Sequence, residues 1–97
     1  MVMRAKKNFI VVAYDIGDDR RRRKVMKLLE RYGVRINLSV FECMVTDAQY
    51  AKLRDEIWHV IKRKEDLVAY YPICVDCYTK IVYQPRLRRA FDRVTVV

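Results

Sequence analysis

A continuous apolar run near the N-terminus does most to restrict how this chain can fold. Residues 9–14 have the sequence Phe-Ile-Val-Val-Ala-Tyr, which is rich in β-branched and aromatic side chains, and Asp15 follows directly. A run this short, ended by a carboxylate, predicts a central strand that is buried on both faces. The 97 residues are enough for one domain around such a strand. We therefore expect a single domain over residues 1–97.

The pattern after this strand changes to helical and then back to extended. Apolar residues recur at helical spacing over 19–32 and predict a first helix, with Asp18 as its N-cap and Gly33 as its C-terminal stop. Alternation over 34–45 predicts a strand. A slip in the phase of that alternation at Val40 predicts a bulge, or a bend into a second short strand.

A second helix and a further strand are predicted next. Thr46 and Gln49 have the spacing of a capping box, which predicts the start of a helix that ends near Lys64. Residues 67–75 predict a strand, and Pro72 within it favours either a position at the edge of the sheet or a late break in the strand.

The last part of the chain adds strand propensity and positive charge. Residues 81–83 predict a short strand, and the basic tail over 84–97 ends in a strand-like segment at 94–97. That segment has no core of its own and could join a sheet edge of a partner chain or a second copy. The order β-α-β-β-α-β with an extra C-terminal strand predicts a ferredoxin-like α+β fold, in which two helices cover one face of an antiparallel sheet. Because this fold hosts many functions, function has to be argued from the site.

Charge and cysteine content restrict the class of partner and the compartment. Lys and Arg number 21 against 12 Asp and Glu, so the net charge is +9. Such a chain attracts polyanions, of which nucleic acid is the commonest, and the charge argues against a small-molecule regulatory domain. No apolar run approaches the ~20 residues of a membrane span. Three cysteines without a disulfide spacing favour reduced thiols in the cytoplasm.

Five consecutive cations open the first predicted helix. They are Arg20, Arg21, Arg22, Arg23 and Lys24. Positive charge at a helix N-terminus is unfavourable for the helix itself but suits a bound phosphate. The alternative is a solvated charged face. Arg21 falls on the apolar side of the helix near Val25, so it needs a partner, for which Asp15 and Asp18 are the nearest candidates.

Asp15 is the principal candidate for chemistry. A carboxylate at the end of an apolar strand is costly unless it is paired, hydrogen-bonded or bound to a metal. An ion pair with Arg21 or a turn would explain it structurally, and the spacing alone favours that explanation. The functional alternative is a Mg²⁺ ligand, through which water could be activated against a phosphodiester. One aspartate makes a poor site, and two copies meeting at a dimer axis would make a better one.

Other candidates are weaker. Cys74 and Cys77 supply half of a zinc site, while Cys43 and His59 are more typical of packing positions. Four tyrosines could stack on bases or serve in packing. They are Tyr70, Tyr71, Tyr78 and Tyr83.

Residues 12–43 taken together resemble the CRISPR-associated protein two family, and residues 71–83 are similar as well. The matching motifs are Tyr14-Asp15-Ile16, the acidic turn Asp18-Asp19, the basic run 20–24, Gly33 and Ser39-Val40-Phe41. The resemblance implies a ferredoxin-like homodimer that is the small partner of the CRISPR integrase in spacer acquisition. It also implies a Mg²⁺-dependent endonuclease acting on RNA or DNA.

The resemblance assigns roles residue by residue. Asp15 is the expected catalytic residue and metal ligand. With the basic cluster included, the expected nucleic-acid-binding residues are Arg20, Arg21, Arg22, Lys24, Arg35, Ser39 and Phe41. Asn37 departs from the glutamine that is common in the family. Lys24 departs from an arginine found in some members, which would remove a bidentate phosphate contact. Two alternatives remain open, namely a non-catalytic DNA-binding scaffold of the integrase complex and a toxin-type ribonuclease of the same fold.

Overall fold

The β-α-β-β-α-β order is confirmed by the computed structural model, which describes residues 6–85 and has a short third helix after the last of these strands. The strands are β1 (Lys7–Asp15), β2 (Gly33–Asn37), β3 (Val40–Thr46) and β4 (Leu67–Ile73). The helices are α1 (Asp19–Glu30), α2 (Asp47–Trp58) and α3 (Val75–Thr79). All neighbouring strands are antiparallel in the order β2-β3-β1-β4, which is the ferredoxin-like arrangement. The strand predicted at 94–97 and the tail from residue 86 onward lie outside the described residues.

β1 is the central strand because it pairs along its length with both β3 and β4. Alternate residues of β1 pack against α1 and α2 on one face of the sheet, where Ile10, Val12 and Tyr14 are buried as predicted, whereas Val11 and Ala13 on the other face are only partly buried. The core on this face consists of Ile10, Val12, Tyr14, Ile16, Val25, Leu29, Phe41, Cys43, Val45, Leu53 and Ile57. Burial of side chains this large stabilises the fold by about 1.5–3 kcal/mol each.

The opposite face of the sheet, which α1 and α2 do not cover, is here called the open face. Phe9 and Met44 are buried on it because Tyr78 of α3 lies over them, with the rings of Phe9 and Tyr78 4.7 Å apart edge to face. The rest of this face includes Asp15 and its β4 partner Leu67, both exposed. α3 therefore covers one part of the open face and leaves the Asp15 end uncovered.

Two helix N-termini are as the sequence predicts. The Asp18 carboxylate accepts from the Arg21 backbone N–H at 2.9 Å and caps α1. In the capping box of α2, the Gln49 N–H donates to Thr46 Oγ1 at 3.1 Å and the Thr46 N–H donates to Gln49 Oε1 at 2.9 Å. These side-chain contacts replace intrahelical partners that the first turn lacks.

The helix ends differ from the prediction. α1 ends at Glu30, before the predicted residue 32, and Gly33 begins β2 instead of terminating the helix. α2 ends at Trp58, well before Lys64, because the Asp66 carboxylate accepts the Lys62 N–H at 2.8 Å and shapes the connection as turns.

The segment 34–45 forms two strands rather than one. β2 and β3 make a hairpin whose turn lies at residues 38–39, and the register shifts between Arg35 and Asn37. The slip in alternation at Val40 thus reflects the start of a second strand together with an irregularity in the first.

The C-terminal part of the described chain corrects one prediction. β4 is an edge strand, so the position inferred from Pro72 is confirmed. Residues 81–83 are not a strand: α3 precedes them, and the Ile81 N–H donates to the Tyr78 carbonyl at 3.3 Å. Among residues 6–85, no helix is long and apolar enough to cross a bilayer.

Candidate nucleic-acid and metal site

The predicted site residues gather at one end of the sheet. β1 ends there with Asp15, and the register pairs Asp15 with Leu67 at the start of β4. The β2–β3 turn is held at the same end, because the Ser39 carbonyl accepts the Tyr14 backbone N–H at 3.0 Å. The Tyr14 hydroxyl also donates to the Leu38 carbonyl at 3.0 Å. Ser39 is therefore held beside Tyr14, the residue before Asp15, although α1 and β2 separate the two in sequence.

Asp15 is exposed on the open face. Its carboxylate makes no hydrogen bond or ion pair with any of residues 6–85, so neither the predicted ion pair with Arg21 nor a turn contact of the side chain occurs there. An exposed carboxylate without a partner has the hard oxygen atoms that Mg²⁺ prefers, and Mg²⁺ usually takes one or two carboxylates together with waters. The described part of the chain holds no group of three or more His, Cys, Asp or Glu side chains suited to a metal. One copy thus offers a chemically suitable but minimal ligand set.

Arg21 has a different partner from those its position in the sequence suggests. Its Nε and Nη2 contact the Asp66 carboxylate at 2.8 and 3.2 Å, and the Asp66 side chain is 0% exposed. The guanidinium also contacts the carboxylates of Glu65 at 3.1 Å and Asp18 at 3.9 Å. The hydrogen bond from Arg21 lowers the pKa of Asp66, because it stabilises the ionised carboxylate. The ion pair fixes α1 to the start of β4, and three carboxylates offset the charge that Arg21 was predicted to offer to phosphate.

Arg22 links the chain after Asp15 to α1. Its Nη1 donates to the Ile16 carbonyl at 3.0 Å, and its Nη2 pairs with the Asp19 carboxylate. The guanidinium remains partly exposed. Arg22 therefore holds the turn beside Asp15 in place while part of its donor set still faces solvent.

Arg20 and Lys24 on α1 and Arg35 on β2 are the predicted cations that remain exposed. None of the three has a side-chain hydrogen bond or ion pair with another residue of the described range 6–85. Burial raises the pKa of Tyr14, and the charges of Arg35 and Arg22 oppose that shift. Arg35 pairs directly with Phe41, whose side chain lies in the core beneath the helices, so Arg35 lies on the helix-covered side of the sheet. Positive charge thus lies along the helix-covered side of this end, whereas Asp15 lies on the open side.

Phe41 is not available as a ligand contact. Its side chain is completely buried in the core, where its ring lies 6.3 Å from that of Tyr14. The Phe41 ring therefore cannot reach a nucleic acid in this conformation, because the alternation of β3 directs it under the helices. Ser39, by contrast, is half-buried at the turn and close to the site.

Two features of the site escaped the sequence prediction. Asp66 is 45 residues from Arg21 and follows a charged turn, so nothing local marked it as the buried partner. Leu67 and Tyr71 form an apolar patch on the open face of β4, where they are 65% and 54% exposed. The alternation within 67–73 could have revealed the patch, since residues two apart in a strand share a face.

The ferredoxin-like fold with a basic first helix and an exposed aspartate at the end of its first strand is the combination that the family resemblance predicts. The family model described as "CRISPR associated protein Cas2" matches residues 8–81. A curated relative from Synechocystis, the "CRISPR-associated endoribonuclease Cas2 3", is 39% identical over 71 residues, covering 73% of this chain and 77% of the relative. The chain belongs to the CRISPR-associated Cas2 family.

Solved structures agree with this assignment. Streptococcus pyogenes Cas2 is similar with a TM-score of 0.71 and 29% identity, over 77% of this chain and 96% of that one. A chain of a partial Cas6-RT-Cas1–Cas2 complex is similar with a TM-score of 0.69 and 27% identity, over 79% and 90% of the two chains. The relative from Synechocystis is named as an endoribonuclease, and the last structure is described as a complex that contains Cas6, RT and Cas1.

Proposed function

We propose that this protein acts in CRISPR spacer acquisition as a metal-dependent endonuclease on RNA or DNA, and that it works in the cytoplasm as a homodimer with the CRISPR integrase. The observation that supports nuclease chemistry is the exposed Asp15 carboxylate, which has no partner among residues 6–85 and ends the central strand on the open face of the sheet. The names of its relatives and the Cas1-containing structural neighbour support the family role. Three cysteines without a disulfide suit a reducing compartment.

Asp15 is the residue proposed to hold a divalent metal, with Mg²⁺ the expected ion. When bound, the metal would activate water and polarise the scissile phosphate. Arg22 would keep the turn after Asp15 in position through its bond to the Ile16 carbonyl. Arg20, Lys24 and Arg35 are exposed and would bind phosphates, which positions a strand without reading its sequence.

The proposed homodimer forms through the open face. Leu67, the β4 partner of Asp15, and Tyr71, the partner of Val11, expose apolar surface along the open face, and burying such surface against a second copy is favourable. A twofold axis at this face would bring two Asp15 carboxylates together, which gives the one or two carboxylates that Mg²⁺ commonly takes. The dimer would thus complete the ligand set that a single chain leaves minimal.

The cleavage prediction concerns Asp15→Asn. We expect wild type to cut single-stranded RNA or duplex DNA in Mg²⁺. The cleavage rate of the variant should fall by at least about 100-fold, which is more than is typical when a residue that only supports a metal ligand is replaced. Asn keeps the shape but removes the charge on which the metal depends. Cleavage is followed on end-labelled substrates with and without EDTA, and activity should return when Mg²⁺ is restored.

Asp55→Asn is the matched control, because Asp55 is an exposed aspartate on α2, on the side of the sheet opposite the open face that carries Asp15. It should cut like wild type. Equal cleavage by Asp15→Asn and wild type would remove Asp15 from the chemistry.

The same samples test the second candidate function, a non-catalytic scaffold, which the exposed cations of α1 favour. If wild type and Asp15→Asn are both inert yet bind duplex DNA with an affinity that falls steeply with salt, the protein is a scaffold. The family assignment makes the adaptation role a better explanation than a toxin-type ribonuclease.

A further inference from the structure

Two cysteines that play no part in the proposed nuclease site lie close together at the surface. Cys74 caps α3 and Cys77 lies in its first turn, and both side chains are exposed. The Cys77 backbone N–H donates to Cys74 Sγ at 3.3 Å, which holds that sulfur above the turn that contains the second cysteine. The third cysteine, Cys43, is buried in the core beneath the helices.

The spacing of the two cysteines permits a disulfide after a small local adjustment. Cys74 is the N-cap of α3 with an extended backbone, and Cys77 is the third residue of the helix. A disulfide requires Cβ atoms about 3.5–4.5 Å apart. The hydrogen bond from the Cys77 N–H already holds the Cys74 sulfur close to the backbone of the second cysteine, so closure needs only a local change at the start of α3.

We propose that Cys74 and Cys77 form a reversible dithiol–disulfide site that reacts with low-molecular-weight disulfides. The Cys74 thiolate attacks one sulfur of the oxidant RSSR, forming a mixed disulfide and releasing RS⁻. Cys77 loses its proton to solvent and attacks the Cys74 sulfur, forming the Cys74–Cys77 bond and releasing the second RS⁻. The protein loses two electrons and two protons, and one RSSR becomes two RSH.

The order of attack follows from the surroundings of each sulfur. The backbone hydrogen bond from Cys77 lowers the pKa of Cys74, because it stabilises the thiolate. The hydrogen bond to Cys74 raises the pKa of Cys77, which suits the resolving thiol. Burial raises the pKa of Cys43 to about 12 and shields it from solvent, so Cys43 provides an internal unreactive control.

A metal explains the pair less well. Two thiolates supply half of a tetrahedral zinc site, and no third His, Cys, Asp or Glu joins them within residues 6–85. The dithiol chemistry needs only the two sulfurs that are present.

The experiment treats the folded, reduced protein with glutathione disulfide, quenches with acid and maps tryptic peptides. Both surface cysteines fall on the peptide 65–80, whereas Cys43 falls on 36–52. We expect peptide 65–80 to lose two hydrogens in mass while 36–52 stays reduced, and we expect dithiothreitol to reverse the change. Under native conditions iodoacetamide should label Cys43 at least ~100-fold more slowly than Cys74.

Two variants make the assignment specific. Cys77→Ser should stop at a mixed glutathione disulfide on Cys74, and Cys74→Ser should react more slowly with glutathione disulfide than Cys77→Ser does. The proposal is overturned if wild type yields only mixed disulfides on peptide 65–80, or if the internal disulfide forms only after unfolding in urea. Neither result bears on cleavage by Asp15, so the proposed function stands or falls separately.

Discussion

Replacement of Asp66 by alanine should lower the melting temperature by more than about 10 °C, because it leaves the Arg21 guanidinium half-buried without its principal partner. The Asp66 side chain is completely buried and also accepts the Lys62 N–H at 2.8 Å, so two donors lose their acceptor at once. The measurement is thermal unfolding followed by circular dichroism.

Glu65→Ala is the matched control for this prediction. Glu65 contacts the same guanidinium at 3.1 Å, but its side chain is 58% exposed, and exposed ion pairs contribute little. We expect the melting temperature of Glu65→Ala to lie no more than about 4 °C below that of wild type. Equal effects of the two substitutions would show that burial of Asp66 does not determine the strength of this contact.

The same contact gives the stability a defined dependence on pH. Since Arg21 lowers the pKa of Asp66 from its ordinary value of 3.8, the ionised carboxylate stabilises the fold fully above that value. The contribution is lost as pH falls through the lower pKa of the folded state. The difference in stability between wild type and Asp66→Ala should therefore shrink on acidification below about pH 4.

Gly33→Ala should also be strongly destabilising, by more than about 10 °C in melting temperature. A Cβ at this position would lie 2.2 Å from the Glu42 carbonyl oxygen and 2.7 Å from Cys43 Sγ. The carbonyl belongs to the neighbouring strand β3, so relief of the clash requires β2 to move away from its pairing partner.

Gly17→Ala provides the control, because nothing lies within 4 Å of the Cβ it would add. We expect it to unfold within a few degrees of wild type, or slightly higher, since alanine restricts the unfolded chain. If Gly33→Ala unfolded at the wild-type temperature, the close approach of β2 and β3 would be wrong.

Much of the fold could be predicted because the decisive signals are local. The apolar run 9–14, the Asp18 cap and the capping box at Thr46 and Gln49 each depend on a few neighbouring residues, and each lies in the structure where it was expected. Pro72 likewise placed β4 at an edge, since a residue without an N–H is tolerated there.

The errors arise where tertiary contacts decide. The sequence pattern predicts Gly33 as a helix stop, but its φ is not positive. Glycine is required there because the backbone of β3 approaches so closely that it leaves no room for a side chain. Residues 81–83, which have strand propensity, instead follow directly on α3, where the Ile81 N–H donates to the Tyr78 carbonyl and Tyr78 packs over Phe9.

The candidate site shows the same division. Arg21 was recognised as needing a partner because of its place on the helix, yet the partner is Asp66, which only the fold brings near. Alternation along β3 already directs Phe41 inward, but the motif that contains it suggested a ligand contact. Motif resemblance identifies which positions matter without saying which of them support the site from within the core.

The most direct test of the account is to measure oligomeric state and cleavage on the same preparations of wild type, Tyr71→Glu and Trp58→Glu. Tyr71 lies on the open face, while Trp58 is a similarly exposed aromatic residue, at 53%, on α2. By sedimentation velocity we expect wild type and Trp58→Glu to be dimers that cut in Mg²⁺, and Tyr71→Glu to be a folded monomer that does not cut. A Tyr71→Glu monomer that cuts at the wild-type rate would contradict the claim that two copies join their Asp15 residues across the open face, as would a Tyr71→Glu protein that remains a dimer.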